Sequence, residues 1–126
     1  MDIKKLVSIL KEVAEVNKIN DNEYEVVTQA KITSKNPIKI YLVNDNFSIK
    51  LVDKKNTLKY MNKIYELKSN DVKNCISAVI KLYGFMISSG ELVGIVRSEE
   101  SLLEMLYNFI ICVGQLTNMY VFFDKP

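Results

Sequence analysis

Hydrophobic residues recur at helical spacing at the start of the chain, with lysine and glutamate on the opposite side. This pattern predicts an amphipathic helix over residues 3–14. The polar segment from Asn17 to Asn22 is predicted to be a turn, and EYEVVTQ after it is predicted to be the first strand. The polar segment KITSKNP then forms a connection, since Pro37 restricts Asn36 to an extended conformation.

The segment IKIYLVNDNFSIKLV alternates between apolar and mixed positions, which is typical of strands. Two strands joined by an Asn-Asp-Asn turn make a β-hairpin. Six residues are predicted to face the core: Ile38, Ile40, Leu42, Phe47, Ile49 and Leu51. The other face of the hairpin carries Lys39, Tyr41 and Lys50.

Two helices are predicted after the hairpin. The first begins near Thr57, buries Leu58, Met61 and Tyr65, and exposes Lys55, Lys59 and Lys63. The second begins around residues 69–71 and ends at Gly84, which suits a left-handed cap. Its predicted buried residues are Val72, Cys75, Ile76, Val79, Leu82 and Tyr83.

The last part of the chain predicts a second hairpin and a long helix. FMI and ELVGIV are joined by Ser-Ser-Gly, and Ser98 with Glu99 and Glu100 is a favourable helix start. The apolar run that follows approaches the length of a membrane span, but polar residues lie along one stripe of it. We therefore expect a helix that packs within a protein and not in a membrane. It is interpreted either as the central helix of the core or as a helix that pairs through MYVFF with a partner or with a second copy in a homodimer.

This order of elements predicts an α+β fold with a mostly antiparallel sheet packed against the C-terminal helix. The expected order is α-β-β-β-α-α-β-β-α. A chain of 126 residues fits a single domain, residues 1–126. The N-terminal segment lacks the apolar stretch of a secretory signal, so we expect a cytoplasmic protein that is not in a membrane.

Composition excludes several kinds of chemistry. The chain has no histidine, two cysteines and four glycines. Ser-His and Cys-His catalysis and a four-ligand zinc site are therefore excluded, and there is no glycine-rich phosphate loop. We expect no cofactor, and both Cys75 and Cys112 to be reduced and buried.

Charge is distributed unevenly. The net charge is +2, but residues 31–81 hold eleven lysines and four acidic residues, a local balance of +7. The candidate binding surface consists of Lys39, Tyr41, Lys50, Lys54, Lys55, Lys59 and Lys63. It is interpreted either as a solvated face, as a site for the nucleic acid backbone, or as a site for an acidic protein. Lysine lacks the planar fork that reads bases, so base readout is disfavoured. A composition rich in Lys, Asn, Ile and Tyr equally suits an AT-rich genome.

Carboxylates offer the one route to catalysis that composition leaves open. Glu23 and Glu25 share a strand face, and Asp45 and Asp53 flank the second strand of the hairpin. Such oxygens could hold Mg²⁺ for phosphodiester hydrolysis. Acids at strand ends serve solubility in most domains, so we expect no metal site.

The order of DNEYEVVT, IKIYL, IKLVDKKNTLKYM and YGFMISSGELV before a terminal helix resembles the domain of unknown function numbered eighteen twenty-eight. That family occurs in Firmicutes and in their phages and prophages, and the resemblance covers roughly residues 20–120. Matching positions are Thr28, Ile38, Ile40, Tyr41, Asp53 and Thr57. Differing positions are Gln29 and Ala30, where the family has Pro-Phe; Ile32 and Asn36, where it has aspartates; and Lys54 and Lys55, where it has an acid and a glycine. If those aspartates form a site in the family, this chain lacks it.

The resemblance implies a setting in mobile elements and carries no activity. Our leading hypothesis is a small non-enzymatic protein of phage or prophage type that binds a host or phage protein complex. Inhibition of a host defence complex, as by anti-CRISPR proteins, is a concrete form of it. The alternatives are a nucleic-acid-binding module that uses the lysines and, less favoured, a metal-dependent nuclease.

Overall fold

The structure, a computed structural model, describes residues 1–31, 37–64 and 70–119. Four helices and six strands occur within these ranges. In chain order they are α1 (Ile3–Lys11), β1 (Glu15–Asn20), β2 (Glu23–Lys31), β3 (Pro37–Asn44), β4 (Ile49–Val52), α2 (Asn56–Ile64), α3 (Asn70–Leu82), β5 (Met86–Ser88), β6 (Glu91–Val96) and α4 (Leu102–Thr117).

The strands form one antiparallel sheet in the order β1-β2-β3-β4-β6-β5. The C-terminal helix α4 contacts β6 of the sheet and also contacts α1, α2 and α3. The predicted α+β class is therefore confirmed, with an antiparallel sheet and a C-terminal helix against it.

One face of the sheet and the helices share the main core. Ile40, Leu42 and Leu51 of the sheet are fully buried in one cluster with Phe109 of α4. The predicted inward positions of the hairpin are correct for β3 and β4, because alternation along a strand places every second residue on the same face.

An additional strand lies where the sequence predicts a turn. β1 spans Glu15–Asn20 and pairs with β2. The turn is confined to Asp21 and Asn22, where the Asn20 side chain accepts the Asn22 N–H at 2.9 Å. The prediction was wrong because five of the six residues of β1 are exposed. An edge strand so exposed carries no apolar alternation to reveal it.

The predicted inward orientation of Phe47 is also wrong. Phe47 precedes β4, lies outside both strands of the hairpin and is 96% exposed. Asn46 beside it has a φ of 79°. A residue in the left-handed region interrupts the alternation of a strand, so the period of two that holds within β3 and β4 does not extend to Phe47 in the turn.

Helix α3 buries a narrower face than predicted. Val72, Ile76 and Ile80 are buried, whereas Cys75 is exposed and Leu82 is 75% exposed. Only one side of α3 contacts the rest of the molecule, so apolar residues at the edges of its stripe remain in solvent. Tyr65, predicted to be buried by α2, lies outside the described residues.

The N-cap of helix α4 lies three residues after the predicted cap, Ser98. Ser98 and Ser101 form a turn ahead of the helix, in which Ser98 Oγ accepts the Ser101 N–H at 3.2 Å, and Ser101 is the N-cap. Within the described ranges, no helix is long and apolar enough to cross a membrane. Of the predicted MYVFF contact segment, Met119 is buried and residues 120–123 lie outside the described residues.

Candidate functional site

The face of the sheet opposite the main core carries four of the seven predicted binding residues. Pairing of Val43 with Lys50 places Lys50 on the same face as Lys39 and Tyr41. Lys54 follows β4, and its Nζ lies 4.2 Å from the centroid of the Tyr41 ring. A cation over a tyrosine face at this distance is attracted by the ring. We call this surface the open face.

The centre of the open face is apolar. Val52 and Val93 are paired across β4 and β6 and are 4% and 5% exposed, yet neither belongs to the main core cluster that the helices share. Across the neighbouring strands Val52 is paired with Tyr41 and Val93 with Met86, so these side chains lie beside them on the same face. Ile95 and Val43 extend this apolar centre and are half-buried.

The lysines of the open face are neutralised by carboxylates. The pairs are Lys39 with Glu25 at 3.7 Å, Lys54 with Glu23 at 3.0 Å, and Lys50 with Asp45. Each exposed pair contributes only about 0–1 kcal/mol to stability. Its larger effect is on the surface potential, since the open face presents balanced charge instead of the excess counted along the chain.

The other three predicted lysines lie elsewhere. Lys55, Lys59 and Lys63 are exposed at the start of α2 and along its outer side. Met61 of α2 is in the main core, so this helix lies on the opposite side of the sheet from the open face. No carboxylate of the described residues forms an ion pair with these three lysines. The predicted patch is thus two separate surfaces.

Asp53 has a structural role that the sequence did not reveal. Its side chain is 2% exposed and accepts hydrogen bonds from the backbone N–H groups of Lys55 at 3.0 Å, Thr57 at 3.0 Å and Leu92 at 2.9 Å. These hydrogen bonds connect the start of α2 to the start of β6. An aspartate just ahead of a helix is a recognisable capping signal, but the bond to Leu92 spans 39 residues and has no local signature.

The turn held by Asp53 contains two residues in the left-handed region. Lys54 and Lys55 have φ values of 51° and 69°, and the Asn56 N–H donates to the Asp53 carbonyl at 3.1 Å. Lysine in this region costs about 1–2 kcal/mol per residue. The three bonds to the Asp53 carboxylate offset this cost and hold Lys54 over Tyr41.

The four candidate metal ligands do not converge. Glu23 and Glu25 are paired with lysines, the amide of Asn17 also donates to Glu25 at 3.3 Å, and Asp53 accepts the three backbone bonds above. Among the described residues no group of three or more side chains is arranged to hold a metal ion.

The turn between β3 and β4 displays Phe47 in a fixed geometry. The Asp45 carboxylate accepts the N–H groups of Phe47 at 3.1 Å and Ser48 at 3.0 Å, and it also pairs with Lys50. The Lys50 ammonium and the two N–H groups lower the pKa of Asp45 to about 2. The carboxylate is therefore ionised at neutral pH and keeps the turn closed.

The two cysteines differ in environment. Cys112 is fully buried in α4, and burial, with a smaller contribution from the charge of Asp53, raises the pKa of its thiol to about 12. Cys75 is exposed on α3. The expected burial is thus correct for Cys112 and wrong for Cys75, because Cys75 lies at the margin of the apolar stripe.

Comparison of the chain with models of protein families, with curated proteins and with solved structures gave no match.

Proposed function

We propose that this chain is a small non-enzymatic protein of phage or prophage type that works in the cytoplasm by binding a protein. The observation that carries the proposal is Phe47, an aromatic side chain that is 96% exposed on a turn fixed by Asp45. The resemblance in motif order supports the setting. Inhibition of a host defence complex, as by anti-CRISPR proteins, is the form of action we favour.

Full exposure of Phe47 is costly unless a partner covers it. Moving a phenylalanine side chain from water into an apolar pocket contributes about 1.5–3 kcal/mol. Aromatic anchors of this kind carry much of the energy at protein interfaces. Because Asp45 already fixes the turn, little conformational entropy is lost when Phe47 enters a pocket.

The charges of the open face support a protein partner over nucleic acid. Affinity for the phosphate backbone comes from cations that replace condensed counterions. Lys39, Lys50 and Lys54 are engaged with carboxylates, so phosphate would have to displace Glu25, Asp45 and Glu23. A protein surface with complementary groups would meet the same face without breaking these pairs.

The test is capture of partners from a Firmicutes host lysate by the tagged full chain, followed by binding titrations with the partner that mass spectrometry identifies. Phe47→Ala is expected to weaken binding roughly 10- to 100-fold, the equivalent of the burial energy above. Ile19→Ala is the control, since Ile19 is 48% exposed on β1, away from the turn. Equal affinities of wild type and Phe47→Ala for every captured protein would contradict the proposal.

A second candidate function rests on the lysine row of α2. Lys59 and Lys63 are exposed and four residues apart on α2, so they follow one side of the helix, and Lys55 is exposed just ahead of it. These are the lysines of the predicted patch that remain available to phosphates. Retention of single- or double-stranded DNA or RNA at about 50 mM salt that falls steeply by about 200 mM would support it. Loss of retention in Lys59→Glu with Lys63→Glu would locate the contact.

A further inference from the structure

An apolar groove lies between α3 and β5 on the side away from the Phe47 turn. Its volume is ≈ 480 Å³, within the usual range of binding clefts, about 300–1,000 Å³. Its floor consists of Ile76, Ile80 and Phe85, which are buried, and Leu58 of α2 and Ile87 of β5 complete its sides. The floor residues belong to the main core, so the groove is a fixed part of the fold.

A row of polar residues borders the groove on α3. Lys73, Ser77 and Lys81 all line it and occupy successive turns of the helix. Lys81 lies eight positions after Lys73, which is about 12 Å along a helix axis. No carboxylate of the described residues pairs with either lysine, unlike the neutralised lysines of the open face.

Exposed apolar side chains continue the groove beyond its floor. Met86 and Ile87 of β5 both line the groove and are 48% and 38% exposed. A single acyl chain in the groove would leave these side chains in water. A protein segment wide enough to span the groove would cover them, so the apolar surface favours a protein ligand.

We propose that this groove binds an acidic amphipathic helix of a protein partner. Apolar side chains on one face of that helix fill the space above Ile76, Ile80 and Phe85. Two carboxylates seven or eight residues apart on that helix pair with Lys73 and Lys81, whose separation they match. This inference rests on the proposed function, because it names the chemistry of a protein that the chain binds.

The experiment uses the full chain and two fluorescein-labelled helical peptides of equal length. Both peptides carry leucines at helical spacing along one face, and they differ only in having two glutamates or two lysines seven residues apart. Binding is followed by fluorescence anisotropy. Wild type is expected to bind the acidic peptide at least about tenfold more tightly than the basic one, which corresponds to about 1.4 kcal/mol.

Charge reversal locates the contact. Lys73→Glu with Lys81→Glu is expected to reverse the preference, so that the basic peptide binds about tenfold more tightly. Lys4→Glu with Lys11→Glu is the matched control, since these lysines are exposed and seven residues apart on α1 and the net charge changes equally. The control is expected to keep the preference of wild type. All four lysines are exposed, and thermal melts would verify that the variants fold.

Three results would overturn the inference. The first is the absence of acidic-peptide binding, and the second is an unchanged peptide preference after charge reversal at Lys73 and Lys81. The third is a change of peptide preference in the control variant as large as that in the Lys73 and Lys81 variant. Binding of dodecanoate without binding of the acidic peptide would likewise refute it, in favour of an acyl carboxylate. The titration needs no captured partner, so its failure leaves the Phe47 test of the proposed function to be decided separately.

Discussion

Replacing Asp53 by asparagine keeps the size of the side chain but removes its charge and one acceptor oxygen. The carboxylate accepts N–H groups from Lys55 and Leu92 at one oxygen and from Thr57 at the other. If the amide oxygen takes the first position, the amide NH₂ faces the N–H of Thr57, a buried residue. The opposite orientation loses two hydrogen bonds instead of one.

The expected cost follows from these bonds. An unsatisfied buried donor costs about 1–3 kcal/mol, and each remaining bond weakens when its acceptor becomes neutral. Removing a negative charge from the start of α2 adds about 0.3–1 kcal/mol. Relief of the desolvation of a buried charge acts in the opposite direction. We expect Asp53→Asn to lower the free energy of unfolding by about 2–4 kcal/mol in total.

Urea denaturation followed by circular dichroism measures this change. With a slope of about 1–3 kcal/mol per molar urea, the midpoint should fall by roughly 1–2 M. Asp71→Asn is the control, because Asp71 is exposed in the first turn of α3 and its neutralisation should cost only the helix-dipole contribution of about 0.3–1 kcal/mol. A midpoint for Asp53→Asn equal to that of wild type would refute the structural role. The carboxylate would then be free for chemistry, and the nuclease alternative would regain support.

Three further predictions concern stability and thiol reactivity. A Cβ added at Gly94 would lie 2.8 Å from two ring atoms of Phe85, so Gly94→Ala should lower the free energy of unfolding by about 1–3 kcal/mol. In a double-mutant cycle measured by urea denaturation, Phe85→Leu should reduce the cost of Gly94→Ala. A thiol reagent such as iodoacetamide should label Cys75 in the native chain and Cys112 only after denaturation, and native labelling of both by mass spectrometry would contradict the burial of Cys112. Because the pKa of Asp45 is lowered to about 2, its contribution to stability is present above pH ~4 and is lost as pH falls towards about 2. In thermal melts, the melting temperature of Asp45→Asn should therefore fall less over that pH range than the melting temperature of wild type.

The elements that the sequence predicted correctly are those with a strong apolar period. Residues 38–42 and 49–51 alternate, and α1 repeats at helical spacing, because burial against a common core imposes those periods. β1 lacks this signal, since an exposed edge strand is stabilised by its backbone pairing with β2. The apolar character of Phe47 predicts burial, and this prediction is wrong because an exposed apolar residue can instead mark a binding surface.

The candidate site was harder to predict because its contacts join distant parts of the chain. Alternation correctly placed Lys39, Tyr41 and Lys50 on one face, yet their partners depend on strand register. Glu25 reaches Lys39 because β2 and β3 pair, and the Asp53 carboxylate meets Leu92 because β4 lies beside β6. No local pattern encodes these pairings in a single sequence.

Charge counted along the chain and charge presented by a surface are different quantities in this protein. The excess of +7 over residues 31–81 suggests a phosphate-binding surface, but the carboxylates that neutralise part of it include Glu23 and Glu25, which precede that segment. Among the described residues of that segment, lysines without a carboxylate partner lie on α2 and on α3, and those on α3, Lys73 and Lys81, border an apolar groove. Lysines beside an apolar groove favour an acidic protein segment, because a phosphate backbone would leave the groove uncovered. Together with Phe47 on its fixed turn, this arrangement makes a protein the expected partner.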